Sequence, residues 1–150
     1  MNIGIDKIAF YTPEYVLDLV TLAKARGDEP DKYTIGIGQD EQAIIPNDED
    51  VVTMGANAAR QIVDDQERKT IDMVIFATES GIDNSKSSAV YVQKLLHLSE
   101  FVRTIELKQA CYAGTFGLMQ ARDYVAAHPD KRVLVIASDI ARYGLATAGE

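Results

Sequence analysis

Apolar residues recur along this chain at two spacings, and the switches between them predict alternating strands and helices. Ile3 to Phe10 (IGIDKIAF) alternates and predicts a first strand, which Tyr11-Thr12-Pro13 ends because proline offers no ladder donor. Val16, Leu19, Val20 and Ala23 have helical spacing, so Tyr15 to Arg26 is expected to be a helix stopped by Gly27. Residues 28–49 mix prolines, glycines and acidic side chains around KYTIGIGQ and read as a long irregular loop, a class of segment that is often functional. Asp50 begins a helix with Val51, Val52, Ala58, Ala59, Ile62 and Val63 on one side. Asp72 to Thr78 (DMVIFAT) is a nearly unbroken apolar run, as in a strand covered on both faces. Ser85 to Leu98 predicts a helix with Ser85, Ser87 or Ser88 as cap, and Arg103 to Lys108 a short strand. Tyr112 to Ala127 reads as a helix stopped at His128-Pro129, and Val133 to Ser138 (VLVIAS) as a further buried strand.

This alternation implies a layered α/β fold with right-handed crossovers and a mostly parallel central sheet. The 150 residues suffice for one domain with a core, since a chain of that size buries roughly 70% of its unfolded surface. The formal net charge of −8 argues against nucleic acid or an anionic membrane as partner, because both attract basic surfaces. Asp6 and Lys7 interrupt what would be a signal's apolar stretch, and no apolar run approaches the ~20 residues of a membrane span. A single cysteine forms no internal disulfide, which makes a reducing, cytoplasmic setting the expectation. The closing ARYGLATAGE reads as a loop leading onward, so the chain is expected to be cut off rather than finished.

In a parallel α/β sheet, ligands gather beyond the carboxyl ends of the strands. Glu79 follows one such end, Cys111 a second, and Asp139 with Tyr143 a third. A thiol at a helix start faces backbone N–H groups and the positive end of the helix dipole. The same groups can stabilise a carbonyl oxygen as charge builds on it during acyl transfer. Ala110, Ala113 and Gly114 leave room for a substrate beside the sulfur. Against this stands the plainer reading that Cys111 is a small buried apolar residue. Glu79, in ATESGIDNSK, is placed to transfer a proton, or else to assist the next helix's N-terminus from solvent. Lys32, in a loop that does not fit a dinucleotide fingerprint, could meet a phosphate or only water. His97, expected on a helix beside Leu95, Leu96 and Leu98, and His128 have no metal-ligand spacing, so both read as structural and no metal site is expected.

The stretches KYTIGIGQ, ATESGIDNSKS, ACYAGT and SDIARYG, in this order and spacing, resemble the N-terminal part of bacterial-type hydroxymethylglutaryl-CoA synthases, members of the thiolase-like condensing enzymes. The resemblance runs from residue 3 to the end and would span about the first two-fifths of a usual family member, a domain truncated before the end of its first half. It implies a thiolase-like half-domain and a Claisen-type condensation of acetyl-CoA with acetoacetyl-CoA in the mevalonate pathway of isoprenoid biosynthesis. Coenzyme A thioesters would be substrates, with no further cofactor. By the same resemblance Cys111 would carry the acetyl group and Glu79 would act as general acid/base. Glu29 and Lys32 would contact coenzyme A, and Tyr143 and Thr147 would lie beside the acyl pocket. A homodimer would form by pairing of the edge strand at Arg103 to Lys108.

Three features depart from the family pattern. The family's catalytic histidine would lie beyond residue 150, and neither His97 nor His128 replaces it. The glycine-rich strand after ARYG and the second half of the duplicated fold would also lie outside. AGTFG after Cys111 differs from the commoner small-residue pattern there. The chain alone is therefore expected not to complete the condensation. Two rivals stay open: another thiolase-like enzyme such as a ketoacyl synthase, against which ATESG argues, and a non-catalytic α/β binding or assembly module.

Overall fold

The structure is a computed structural model and describes residues 3–140. The described residues form two compact units, one of residues 3–11 and 50–140 and the other of residues 12–49. Tyr143 and Thr147 lie outside the described residues.

The larger unit is built on three parallel strands, β3 (Ile71–Ala77), β4 (Arg103–Leu107) and β5 (Arg132–Ala137), in the order β4-β3-β5. Phe76 pairs with Glu106 on one side and Ile136 on the other. Three layers result. Helices α2 (Val51–Arg60) and α4 (Ser88–Leu95) pack on one face, and α5 (Tyr112–Ala127) on the other. Alternation along β3 and β5 sends Val74, Phe76, Leu134 and Ile136 into the core shared with α2 and α4. Ile75 and Val135 meet α5, where Gly117 lets the helix backbone come close: a Cβ there would lie 3.2 Å from each. Gly55 plays the same part in α2, since a Cβ would lie 2.9 Å from Ile136 Cγ2. Asp50 caps α2 in a reciprocal box with Thr53, each side chain accepting the other's backbone N–H at 2.8 Å. Ser87 caps α4, accepting from the N–H of Ala89. A short helix, α3 (Glu67–Thr70), precedes β3 and was not legible in the periodicity.

The first expected strand is absent. Residues 3–10 take no ladder partner among the described residues, and Ile8 and Phe10 are 84% and 81% exposed. Side chains tether the segment instead: Asp6 pairs with Arg132 at 3.0 Å, Lys7 with Glu67 at 2.6 Å, and Gln61 donates to the Phe10 carbonyl. Alternation confers the capacity to pair, but a strand needs a neighbouring edge. The helix expected over Ser85 to Leu98 is shorter. It ends at Leu95, and His97 stands beyond it with a φ of 53°.

In the smaller unit, the expected helix of Tyr15 to Arg26 divides. Strand β1 (Tyr15–Asp18) pairs antiparallel with β2 (Glu41–Ile44), and helix α1 covers Leu19–Arg26. Asp18 is the reason, because its carboxylate accepts the Thr21 N–H at 2.6 Å and starts the helix there. Gly27 ends it at a φ of 72°, a left-handed conformation that glycine adopts without strain. The segment expected to be irregular is ordered, with a π-helix at Lys32–Ile37 closed by Gly38. Leu19, Ala23 and Tyr33 form this unit's core.

Candidate active site

Because β3, β4 and β5 run parallel, their carboxyl ends share one edge of the sheet, and the segments that follow them carry Glu79, Cys111 and Asp139. Cys111 is exposed, not packed in hydrocarbon, and stands at the N-cap position of α5. The residue before it, Ala110, has a φ of 46°, a left-handed conformation costly for a residue with a Cβ. That turn ends the chain's run along β4 and delivers the thiol to the helix start. The two amides after the thiol are engaged locally: the N–H of Tyr112 donates to the Gln109 carbonyl and that of Ala113 to the Ala110 carbonyl, both at 3.1 Å. Ala113 is buried, and Gly114 lies close enough to β5 that a Cβ would meet Ala137 at 3.6 Å.

Glu79 is exposed, and its backbone is held by Asp139. One carboxylate oxygen of Asp139 accepts four hydrogen bonds, from the Thr78 hydroxyl (2.9 Å), the Glu79 N–H (2.7 Å), the Ser80 N–H (3.1 Å) and the Ser80 hydroxyl (2.8 Å). The Ile140 N–H donates back to the Ser80 hydroxyl. Charge-assisted bonds of this kind are the stronger ones. They fix the turn bearing Glu79 to the end of β5. Sequence reading placed Asp139 at this edge but not its partners, which lie 59 to 61 residues away. Farther along the loop, Asp83 accepts from the N–H groups of Lys86 and Ser85, which hold its carboxyl below the usual range and order the approach to α4.

Glu29 and Lys32 belong to the smaller unit, and both are exposed. Lys32 begins the π-helix, and Asp28 accepts from its ammonium at 3.0 Å and from the Tyr33 hydroxyl at 2.9 Å. The bond to Asp28 holds the ammonium above its ordinary range, and the bonds from Lys32 and then Tyr33 hold the Asp28 carboxyl below its own. A π-turn is uncommon and concentrates at functional sites. The Asp28 carboxylate thus holds the Lys32 ammonium in place and offsets its charge.

Among the described residues no three His, Cys, Asp or Glu side chains are grouped to hold a metal ion, and no helix is long and apolar enough to cross a membrane. An exposed thiol at a helix start, sharing a sheet edge with an exposed carboxylate, suits acyl transfer followed by proton transfer.

Comparison with known proteins places the chain in a family. Residues 1–149 match the family described as hydroxymethylglutaryl-coenzyme A synthase N terminal. The chain belongs to this family. It is 51% identical to a hydroxymethylglutaryl-CoA synthase of Enterococcus faecalis over all 150 residues, which make up 39% of that relative. A crystal structure of a synthase of this name complexed with CoA superposes with a TM-score of 0.96 at 49% identity, over 99% of this chain and 38% of that one. Another, in complex with 3-hydroxy-3-methylglutaryl coenzyme A, gives 0.88 at 44% identity, over 98% and 36%. The fold is therefore that of the thiolase-like synthases, in their N-terminal part. The chain spans about two-fifths of the length of the curated relatives it matches.

Proposed function

We propose that this chain is the nucleophile-bearing part of a hydroxymethylglutaryl-CoA synthase, condensing acetyl-CoA with acetoacetyl-CoA. One observation carries the reading: the lone thiol is exposed at the start of α5, on the sheet edge that also bears Glu79, in a chain matching the family over residues 1–149. The Cys111 sulfur attacks the acetyl carbonyl, the coenzyme A thiol leaves, and an acetyl thioester remains on the enzyme. The backbone N–H of Cys111 is one donor to the oxyanion of that step. Glu79 removes a proton from the acetyl methyl, and the resulting enolate attacks the keto carbon of acetoacetyl-CoA. The new alkoxide takes up a proton, and water hydrolyses the thioester to restore the thiol. Glu29 and Lys32 contact coenzyme A, with the Lys32 ammonium meeting a phosphate. Tyr143 and Thr147 stand beside the acyl pocket.

The reaction serves the mevalonate pathway in the cytoplasm, and the working form is a homodimer. Strand β4 supports the last point, since it ends the described sheet and borders an open groove of about 420 Å³ lined by Ile105, Leu107 and Tyr124. The three-layer unit forms part of one thiolase-like half, and the catalytic histidine is supplied from outside residues 1–150.

Incubating the complete gene product with acetyl-CoA and mapping its peptides by mass spectrometry tests the reading. One acetyl group on the Cys111 peptide, lost in a folded Cys111→Ala variant, is the expected result. No acetylation in a protein of native circular dichroism would refute it.

A further inference from the structure

The loop from Glu79 to Ser87 is gripped on its other flank by a residue with no assigned role. Glu106 is the next-to-last residue of β4 and lies in register with Phe76 of β3. Its Oε2 accepts the backbone N–H of Ser88, the first residue of α4, at 2.6 Å. Its Oε1 lies 2.6 Å from where a Cβ on Gly81 would stand. Glycine at 81 is thus what lets the carboxylate lie against the loop. Glu106 is half-buried and Ser88 is buried, so this bond is partly shielded from water. The Ser87 hydroxyl takes the Ala89 N–H and Glu106 takes that of Ser88, so the two side chains cap different donors of α4, and only the approach of Glu106 to Gly81 lies outside the helix. The carboxylate thus bonds one end of the 81–88 loop and lies against the other, from the strand that leads, five residues later, to Cys111. Asp139 grips the same loop from β5 at Thr78 to Ser80.

We propose that Glu106 is a positioning residue for the condensation step: through Gly81 and Ser88 it sets where the Glu79 carboxylate stands beside the thioester on Cys111. This rests on the reading of Glu79 as the acid/base. A group that only orients Glu79 has no part in the first acyl transfer, so the two half-reactions separate its role from general stability. Misplacement of a catalytic group by 1 Å lowers a rate by about 100-fold.

The test uses the complete gene product and measures acetylation of Cys111, condensation after acetoacetyl-CoA is added, and the thermal midpoint. Glu106→Ala is expected to acetylate within about twofold of the parent and to condense about 100-fold more slowly. Glu106→Gln, which keeps an acceptor oxygen of the same reach, is expected to recover most of that loss. Gly81→Ala drives a methyl against Glu106, so it is expected to slow condensation alone and to add nothing in a Glu106→Ala background. If Glu106→Ala fails to fold, Glu106→Gln and Gly81→Ala carry the test, with the slower condensation of Gly81→Ala as the expected result. The proposal is overturned if acetylation and condensation fall together with the thermal midpoint, if condensation is unchanged, or if the effects of Gly81→Ala and Glu106→Ala simply add. Glu79→Gln is the reference. If it blocks condensation while Glu106→Ala spares it, only the positioning role fails; if Glu79→Gln itself condenses normally, the reading of Glu79 fails too.

Discussion

Replacing glycine by alanine at three helical positions should give three different outcomes, because the sheet approaches each to a different distance. In a helix interior, Gly→Ala gains about 0.5–1 kcal/mol from backbone entropy and propensity. Overpacking opposes this at about 1–3 kcal/mol. At Gly55 the new carbon would stand 2.9 Å from Ile136 Cγ2 and 3.0 Å from Phe76 Cε2, against an ordinary carbon–carbon contact of about 3.5–4.0 Å. Both neighbours are core side chains, and Phe76 is fully buried, so neither yields easily. The clash wins, and Gly55→Ala should lose about 1–2 kcal/mol. At Gly117 two contacts of 3.2 Å, to Ile75 and Val135, need a shift of only a few tenths of an ångström, so gain and cost nearly cancel. At Gly114 the nearest atom is Ala137 Cβ at 3.6 Å, an ordinary contact, and the substitution should stabilise by about 0.5 kcal/mol. Urea unfolding of the complete gene product and its three variants measures all of them on one scale. The ordering Gly114→Ala above Gly117→Ala above Gly55→Ala is the expected result. A common shift for all three, or a stabilised Gly55→Ala, would refute the claim that close helix–sheet approach sets the position of α2 and α5.

Three further predictions follow from local geometry. Ala110, at a φ of 46°, carries left-handed strain of about 1–2 kcal/mol. Ala110→Gly should therefore be neutral to about 1 kcal/mol stabilising, and Ala110→Val destabilising by more than about 1 kcal/mol; urea unfolding decides, and a harmless valine would refute the strain. Asp64, whose titration is linked to that of the neighbouring Glu67 carboxyl and which accepts from the N–H groups of Glu67 and Gln66, titrates at about 2 rather than 3.8. Its folded value is depressed, so what it contributes to α3 is present above the ordinary value and lost as pH falls toward about 2. The amide signals of Gln66 and Glu67 should shift over that acid window, and a midpoint at 3.8 would contradict the bonding. Asp72 is held below the usual range first by the Tyr124 hydroxyl and then by the Arg103 guanidinium, which lies 2.5 Å from it. Tyr124→Phe should raise its midpoint in a carboxyl-resolved NMR titration; no movement would show the hydroxyl to be irrelevant.

What could be read from the sequence was the set of features with a local cause. The bounds of α5 at Tyr112 and Ala127 follow from periodicity and from Pro129 beyond it, and β3 follows from an apolar run that only a doubly covered strand uses. The strand ends then placed Glu79, Cys111 and Asp139 on one edge. Where the cause is distant, reading failed. Ile3 to Phe10 alternates but has no paired edge among the described residues. The division of β1 from α1 depends on Asp18 accepting from Thr21, and on pairing with Glu41 to Ile44, an exposed strand with little apolar signal. The π-helix at Lys32 leaves no trace in a 3.6-residue period. The grip of Asp139 on the Glu79 turn joins residues some sixty positions apart, which no local pattern records.

The central claim is that Cys111 and Glu79 perform consecutive steps at one sheet edge. It is tested most directly by loading a Glu79→Gln form of the complete gene product with isotopically labelled acetyl-CoA and then chasing with acetoacetyl-CoA. The account predicts that the label stays on Cys111 through the chase and that no six-carbon acyl product appears. Passage of the label into that product at the parent's rate would contradict it.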